Sequence, residues 1–452
     1  MFFWTGLKHA FIALQANIEI IGRQTYIIAV KEDRVPDLES NEPASGKAAG
    51  PPQDFRQPAG SALSTTPRSV VFLLICLFLV YGAYVVHRYE PFTFALYDPG
   101  WMVSTVISIA EDGDLDLRNQ LRNDSSQAAD QTSLGKKGEW YPLHEFVMPI
   151  LTVPFYLLFG INGCLIFNVL VTMLLMTGLF LLCLRHVDHL SAFAATILTA
   201  FPTLFLDYTY SYSLDVFSTL LLVLSYWAIV NRKFLSSGFL WGLAVYARLA
   251  NAVTAAGFIP FLLLVQPQNG GADQNSDRMA MKLGRGYPLV SFLSGGLPAG
   301  ACFFLSNWLM YGAPYVTSYD CWQRFVNGQS VVGSQRDTFA CSIFERLPEI
   351  LLDAKSGLFI GAPLILLALA FGLRLFWQRS RKEAILWILT GTSLTILFTI
   401  YCKDFPGSIG NRYLMPVVAL AAIPLALAIQ NCFRARNPEP WNSAPNPLDR
   451  AG

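Results

Sequence analysis

Apolar blocks, each near the length a bilayer demands, recur at 70–86, 146–160, 161–184, 190–206, 213–230, 236–250, 252–266, 288–311, 357–377, 384–401 and 413–430. The pattern predicts an all-α polytopic membrane protein with ten or eleven transmembrane helices. The polar stretches between the blocks set its orientation. Arg68, Arg185, Arg232 with Lys233, Arg278 with Lys282 and Arg285, the Arg374 to Lys382 cluster, and Arg434 with Arg436 place their connections in the cytoplasm by the positive-inside bias. The connections at 87–145, 207–212, near 251, 312–356 and 402–412 are then external. This parity holds if 146–184 crosses once in net terms. Pro149 and Pro154 mark 146–160 as an irregular or re-entrant segment, which membrane depth tolerates only under cover of protein or a wet cavity.

Residues 1–67 include a Pro, Gly, Ser and Ala-rich tract from Pro36 to Pro67 that has too little apolar surface to fold. They read as a disordered cytoplasmic extension, 68–432 as the transmembrane domain, and 433–452 as a disordered cytoplasmic tail. Composition agrees: 53% of the 452 residues are apolar and 14% charged, against about a quarter charged in soluble domains. A net charge of +1 without a basic stripe gives no reason to expect nucleic acid as a partner. The eight cysteines show no metal-ligand spacing and mostly fill apolar runs. Cys321 and Cys341 share one external loop, where either a bridge or two free thiols would fit.

The first external loop is the most acidic part of the chain, with Asp98, Glu111, Asp112, Asp114, Asp116, Asp124, Asp130, Glu139 and Glu145. Carboxylates gathered where a bilayer ends suit the wet mouth of an active site. Asp98 before Pro99 also signals a helix start, with Trp101, Val103, Val106, Ile107 and Ala110 on one interfacial face. A cap that fixes a carboxylate in space is compatible with use as a base. Elsewhere, Asp215 reads as the N-cap of its span, and Tyr208, Tyr210 and Tyr212 as an interfacial aromatic belt. Arginines and lysines at span ends have the alternative of snorkelling to headgroups.

Five phrases, in order, resemble the GT-C class of multi-spanning membrane glycosyltransferases, which includes the protein O-mannosyltransferases and bacterial enzymes using polyprenyl-phosphate sugars. They are Tyr97 to Trp101 followed by Ile109 to Leu117; Gly138 to Pro142 with Pro149 to Gly160; Asn307 to Pro314; Lys355 to Phe359 with Ala362-Pro363; and Gly410 to Pro416. The resemblance implies a GT-C-like domain whose external acidic first loop bears interfacial helices. It implies transfer of a sugar from a polyprenyl-phosphate donor to a glycan, lipid or protein acceptor, at the external, periplasmic face of a bacterial inner membrane. On that reading Asp98 is the catalytic base, and Arg248, Lys355 and Arg412 bind the donor phosphate. Asp112, Asp114, Asp116, His144 and Glu145 bind acceptor or a cation, a divalent ion being suited to the Asp oxygens. Many members of the class have Asp-Glu where this chain has Asp98-Pro99, so a second carboxylate must come from Asp112, Asp114, Asp116 or Glu145. The rival reading is a transporter or lipid-linked-glycan flippase. No internal repeat is visible, and the ionisable groups gather at one face instead of mid-membrane, which favours the enzyme.

Overall fold

The computed structural model describes residues 67–89, 98–121, 131–265, 286–326, 329–334, 339, 341–354, 357–401 and 411–436. The terminal tracts read as disordered extensions lie outside them, apart from the helical residues at each border. The architecture is all-α and polytopic. Helix α1 (Pro67–Arg88) is followed by α2 (Asp98–Ile107), which runs into a π turn, Ser108–Asp112. Two short strands, β1 (Thr132–Leu134) and β2 (Trp140–Pro142), lead into α3 (Val147–Phe159), α4 (Asn162–Cys183), α5 (His189–Ala200), α6 (Leu204–Tyr210), α7 (Leu214–Val230) and α8 (Phe234–Ala247). A 3-10 turn, Leu249–Thr254, joins α8 to α9 (Ala255–Leu264). Then come α10 (Tyr287–Tyr311), β3 (Trp322–Val326), β4 (Gln329–Gly333), α11 (Ile343–Leu352), α12 (Leu358–Gly361), α13 (Leu364–Leu367), α14 (Leu373–Arg379), α15 (Arg381–Ile400), α16 (Met415–Leu420) and α17 (Ala422–Arg436).

Among the described residues five helices are long and apolar enough to cross a membrane, or six if α5 and α6, bent by 62°, count as one span. The apolar blocks therefore form helices where expected, but not all as continuous spans. The block at 190–206 breaks at Pro202, which cannot supply the backbone donor a continuous helix needs. The block at 357–377 is divided at Pro363 into α12 and α13, followed by a π turn, Ala368–Gly372, and α14. Those at 146–160, 213–230, 236–250 and 252–266 become apolar helices of 10–17 residues.

A four-stranded antiparallel sheet, ordered β2-β1-β3-β4, was not foreseen. Its β1 and β2 have only three residues each, too few to carry a period-two signal. The sheet joins the acidic loop to the loop after α10 through Ser133 opposite Trp322. Around it, the Thr132 hydroxyl donates to Gln323 Oε1 at 3.0 Å and the Ser318 hydroxyl to the Leu143 carbonyl at 2.6 Å. Two loops assigned to one face by charge are thus physically joined.

The other ends of the helices carry a separate polar cluster. Arg185, just after α4, donates to Asn231 Oδ1 at 2.6 Å, while His186 Nε2 lies 3.0 Å from Glu383 Oε2 at the start of α15. The helices themselves approach closely where side chains are absent. A Cβ on Gly238 of α8 would lie 1.8 Å from the Phe292 carbonyl oxygen, and one on Gly295 of α10 would lie 2.0 Å from that of Leu235. Small residues at such a crossing let backbones pack directly. This crossing fixes α8, whose last turn delivers Arg248.

Candidate active site

A small cavity opens where α2, the β2–α3 loop, the α6–α7 junction, the end of α8 and the turn before α16 converge. Its lining includes Trp101, His144, Tyr212, Asp215, Arg248 and Arg412.

Local sequence sets each side chain. The Ser213 hydroxyl accepts from the Asp215 backbone N–H at 3.3 Å, so Ser213 caps α7 and the expected cap role of Asp215 is corrected. A Ser cap leaves the Asp215 carboxylate in the first turn, where the helix dipole stabilises negative charge. Asp215 is 7% exposed. Helix α8 ends as Arg248 turns extended, with φ −151° and ψ 106°, and Asn251 Nδ2 donates to the Ala244 carbonyl at 2.9 Å to close that end. On the third side, Asn411 accepts from the Tyr413 N–H through its side chain and starts a 3-10 turn, Arg412–Leu414.

These three devices bring two arginines onto one carboxylate. Arg248 forms an ion pair with Asp215 Oδ1, and Arg412 Nε lies 3.7 Å from Oδ2. Arg248 also stacks over the Tyr413 ring, its Cζ 4.2 Å from the centroid, and Tyr413 stacks on Phe398 at 4.9 Å. Among the described residues two guanidinium groups thus face one carboxylate. Guanidinium forks suit a phosphate or carboxylate better than a point charge does.

The residues expected to matter divide clearly. Arg248, Arg412 and His144 meet at the cavity. His144 Nδ1 lies 2.7 Å from the Tyr319 hydroxyl, and its ring packs 5.0 Å from that of Trp101. Glu145 follows His144, is half-buried, and has no ion-pair partner among the described residues. Burial pushes its carboxyl up to about 8. Helix α2 begins at Asp98, as the Asp-Pro signal predicts, but the Asp98 side chain lies outside the described residues, as does Lys355.

Asp112, Asp114 and Asp116 are hydrogen-bonded within the loop region itself. Asp112 accepts from Asn119 Nδ2 at 2.7 Å, and Asp114 from the Ser108 hydroxyl at 2.9 Å and the Asp116 N–H at 3.0 Å. Asp116 accepts from Arg118 Nε at 2.7 Å and from the Trp140 N–H at 3.1 Å. Burial works to raise its carboxyl, yet these donors hold it below its ordinary value. None of the three lines the cavity. Among the described residues no group of three His, Cys, Asp or Glu side chains is placed to hold a metal.

Sequence reasoning missed other parts. Tyr208 and Tyr212 are buried and line the cavity, so they are not an exposed interfacial belt. Trp101, read as interfacial, is 3% exposed and forms one wall. A carboxylate at the head of an apolar span was the available signal for Asp215. Cys321 is a free thiol while Cys341 is disulfide-bonded, so these two are not bridged to each other.

The helical bundle has a fold seen among solved membrane-protein structures. Among solved structures it matches a crystal structure of ArnT from Cupriavidus metallidurans bound to undecaprenyl phosphate, with TM-score 0.50 and 15% identity, covering 80% of this chain and 60% of that one. The apo state of the same ArnT matches with TM-score 0.47 and 15% identity, covering 79% and 59%. At this identity the likeness is one of fold. The chain spans about 60% of the length of the structures it matches. No family model and no curated protein sequence matches it.

Proposed function

We propose that this protein is a membrane glycosyltransferase that moves a sugar from a polyprenyl-phosphate donor to an acceptor at the external face. The supporting observation is the pairing of Arg248 and Arg412 on Asp215 at the mouth of a cavity, in a fold shared with a protein crystallised with undecaprenyl phosphate. In this reading the two guanidinium groups hold the donor phosphate. As the sugar–phosphate bond breaks, negative charge grows on the leaving phosphate, and preorganised cations aimed at it lower the barrier. Asp98, at the start of the helix that carries Trp101, takes the proton of the acceptor hydroxyl while that oxygen attacks the sugar. Lys355 assists at the phosphate, and His144 and Glu145 border the acceptor side. The periplasmic face of a bacterial inner membrane is the proposed location. The arginine pair lies at the same end as the joined external loops, which supports the enzyme over the transporter reading.

Purified protein in detergent or vesicles, given a labelled sugar on undecaprenyl phosphate and an envelope extract as acceptor, should transfer label. Asp98→Asn should fold and bind donor, yet lose about two or more orders of magnitude in rate. Absence of transfer across a panel of sugar donors, or full activity of Asp98→Asn, would overturn the enzyme or the base respectively.

A further inference from the structure

Between α6 and α7 the chain unwinds at Ser211, Tyr212 and Ser213, so backbone carbonyls that would be bonded inside a helix face the protein interior. In a low-dielectric setting each such group costs free energy unless paired. One side chain meets this need. Asn168, fully buried near the start of α4, directs its Nδ2 at the carbonyls of Tyr208 at 2.8 Å, Thr209 at 2.9 Å and Ser211 at 2.9 Å. Its Oδ1 accepts from the Ser213 N–H at 3.3 Å. Three acceptors at one atom and an N–H donor at the other define which way the amide points. The grip covers both sides of the break and ends on the residue that caps α7.

We infer that Asn168 is a positioning residue for the arginine pair. By clamping the unwound segment it fixes Ser213, hence the first turn of α7, hence the direction in which Asp215 meets Arg248 and Arg412. The chain of contacts is short: Asn168 to the Ser213 backbone, the Ser213 hydroxyl to the Asp215 N–H, and the Asp215 carboxylate to both guanidinium groups. Tyr212, inside the clamped segment, is itself anchored by its hydroxyl on Thr152 at 2.7 Å. Asn168 does not line the cavity, so its effect on a bound phosphate passes through Asp215. The phosphate part of this inference rests on the function proposed above; the positioning part does not.

The test uses the full-length protein with Asn168→Ala and Asn168→Ser, each compared with wild type after confirming a folded, monodisperse sample. Amide exchange across 211–215 should quicken, and modification of Arg248 by phenylglyoxal should increase. Binding of undecaprenyl phosphate should weaken about tenfold, the equivalent of one lost buried hydrogen bond. Binding of undecaprenol, which lacks the phosphate, should not change, and a general loosening of the fold would not make that distinction. Unchanged exchange and arginine reactivity would overturn the role, as would equal weakening toward phosphate and alcohol, or failure of both variants to fold. If wild-type protein binds no undecaprenyl phosphate, the proposed function falls, while exchange and arginine reactivity still decide the role of Asn168.

Discussion

The Asp215 carboxylate stands between two guanidinium groups, Arg248 on one oxygen and Arg412 with its Nε 3.7 Å from the other. Arg248 is also largely buried, its side chain 14% exposed. Removing one member of a buried ion pair strands the other, which costs about 3–5 kcal/mol. Asp215→Ala should therefore lower the thermal midpoint of the purified protein. Undecaprenyl phosphate should then raise the variant's midpoint by more than it raises that of wild type, because a bound phosphate supplies the missing negative charge and binding to the folded state adds stability. A variant as stable as wild type would show that the arginines need no counter-charge.

Glu145 gives a pH signature. In the unfolded chain its carboxyl titrates near 4.5, whereas in the folded protein burial pushes it up to about 8. Between these values the folded state holds the proton and the unfolded state does not. Folding then binds more protons than unfolding, so this group's contribution to stability falls as pH rises through the window and levels off above it. Glu145→Gln removes the titration. The variant should match wild type at about pH 4 and be the more stable at about pH 9, the difference opening between them. Thermal unfolding of both proteins across the range measures it, and parallel profiles would refute the assignment.

Much of this site could be read from the sequence because its signals are local. The Asp98-Pro99 start of α2 and the arginines at the ends of apolar blocks depend on neighbours within a turn or two. What escaped depends on distant partners. Thr132 meets Gln323 across 191 positions to tie the small sheet together, and nothing in three-residue strands announces that pairing. Asp215 reads as a cap in the sequence, but the Ser213 hydroxyl takes that place, and the approach of Arg248 and Arg412 from other elements leaves Asp215 to bind charge. The acidic loop likewise needs the structure, because Asp side chains written in a row do not show local turns such as Asp114 to the Asp116 N–H.

The cysteines of the external loops separate by chemistry. Cys341 is disulfide-bonded, and its N–H donates to the Ile400 carbonyl at 3.2 Å beside the end of α15, whereas Cys321 is a free thiol next to β3. Burial raises the Cys321 thiol above its ordinary value, which slows its alkylation because the thiolate is the reactive form. Peptide mapping of denatured protein without reduction should find Cys321 alkylated and Cys341 in a linked peptide, whose other half identifies its partner. A peptide linking Cys321 to Cys341 would contradict the structure.

The two arginines should respond differently to the same substitution. Arg248 is stacked over Tyr413 and paired with Asp215, so its plane is fixed on two sides. Arg412 is the more exposed, its side chain 25% accessible, and holds Asp215 only at 3.7 Å. If both forks grip the donor phosphate, lysine cannot reproduce either, because an ammonium offers a point charge and does not stack as a plane. Arg248→Lys should then lose stability as well as activity, since the Tyr413 stack and the ion-pair geometry go together. Arg412→Lys should remain nearly as stable as wild type, yet show a raised donor KM and a lowered kcat, because the charge it meets grows in the transition state. A headgroup anchor at the same position would tolerate lysine, whose long stem reaches the interface equally well. Steady-state kinetics of Arg412→Lys with varied donor, beside thermal midpoints of both variants, separates the two roles. Wild-type constants for Arg412→Lys would remove it from the phosphate site and leave Arg248 and Lys355 there.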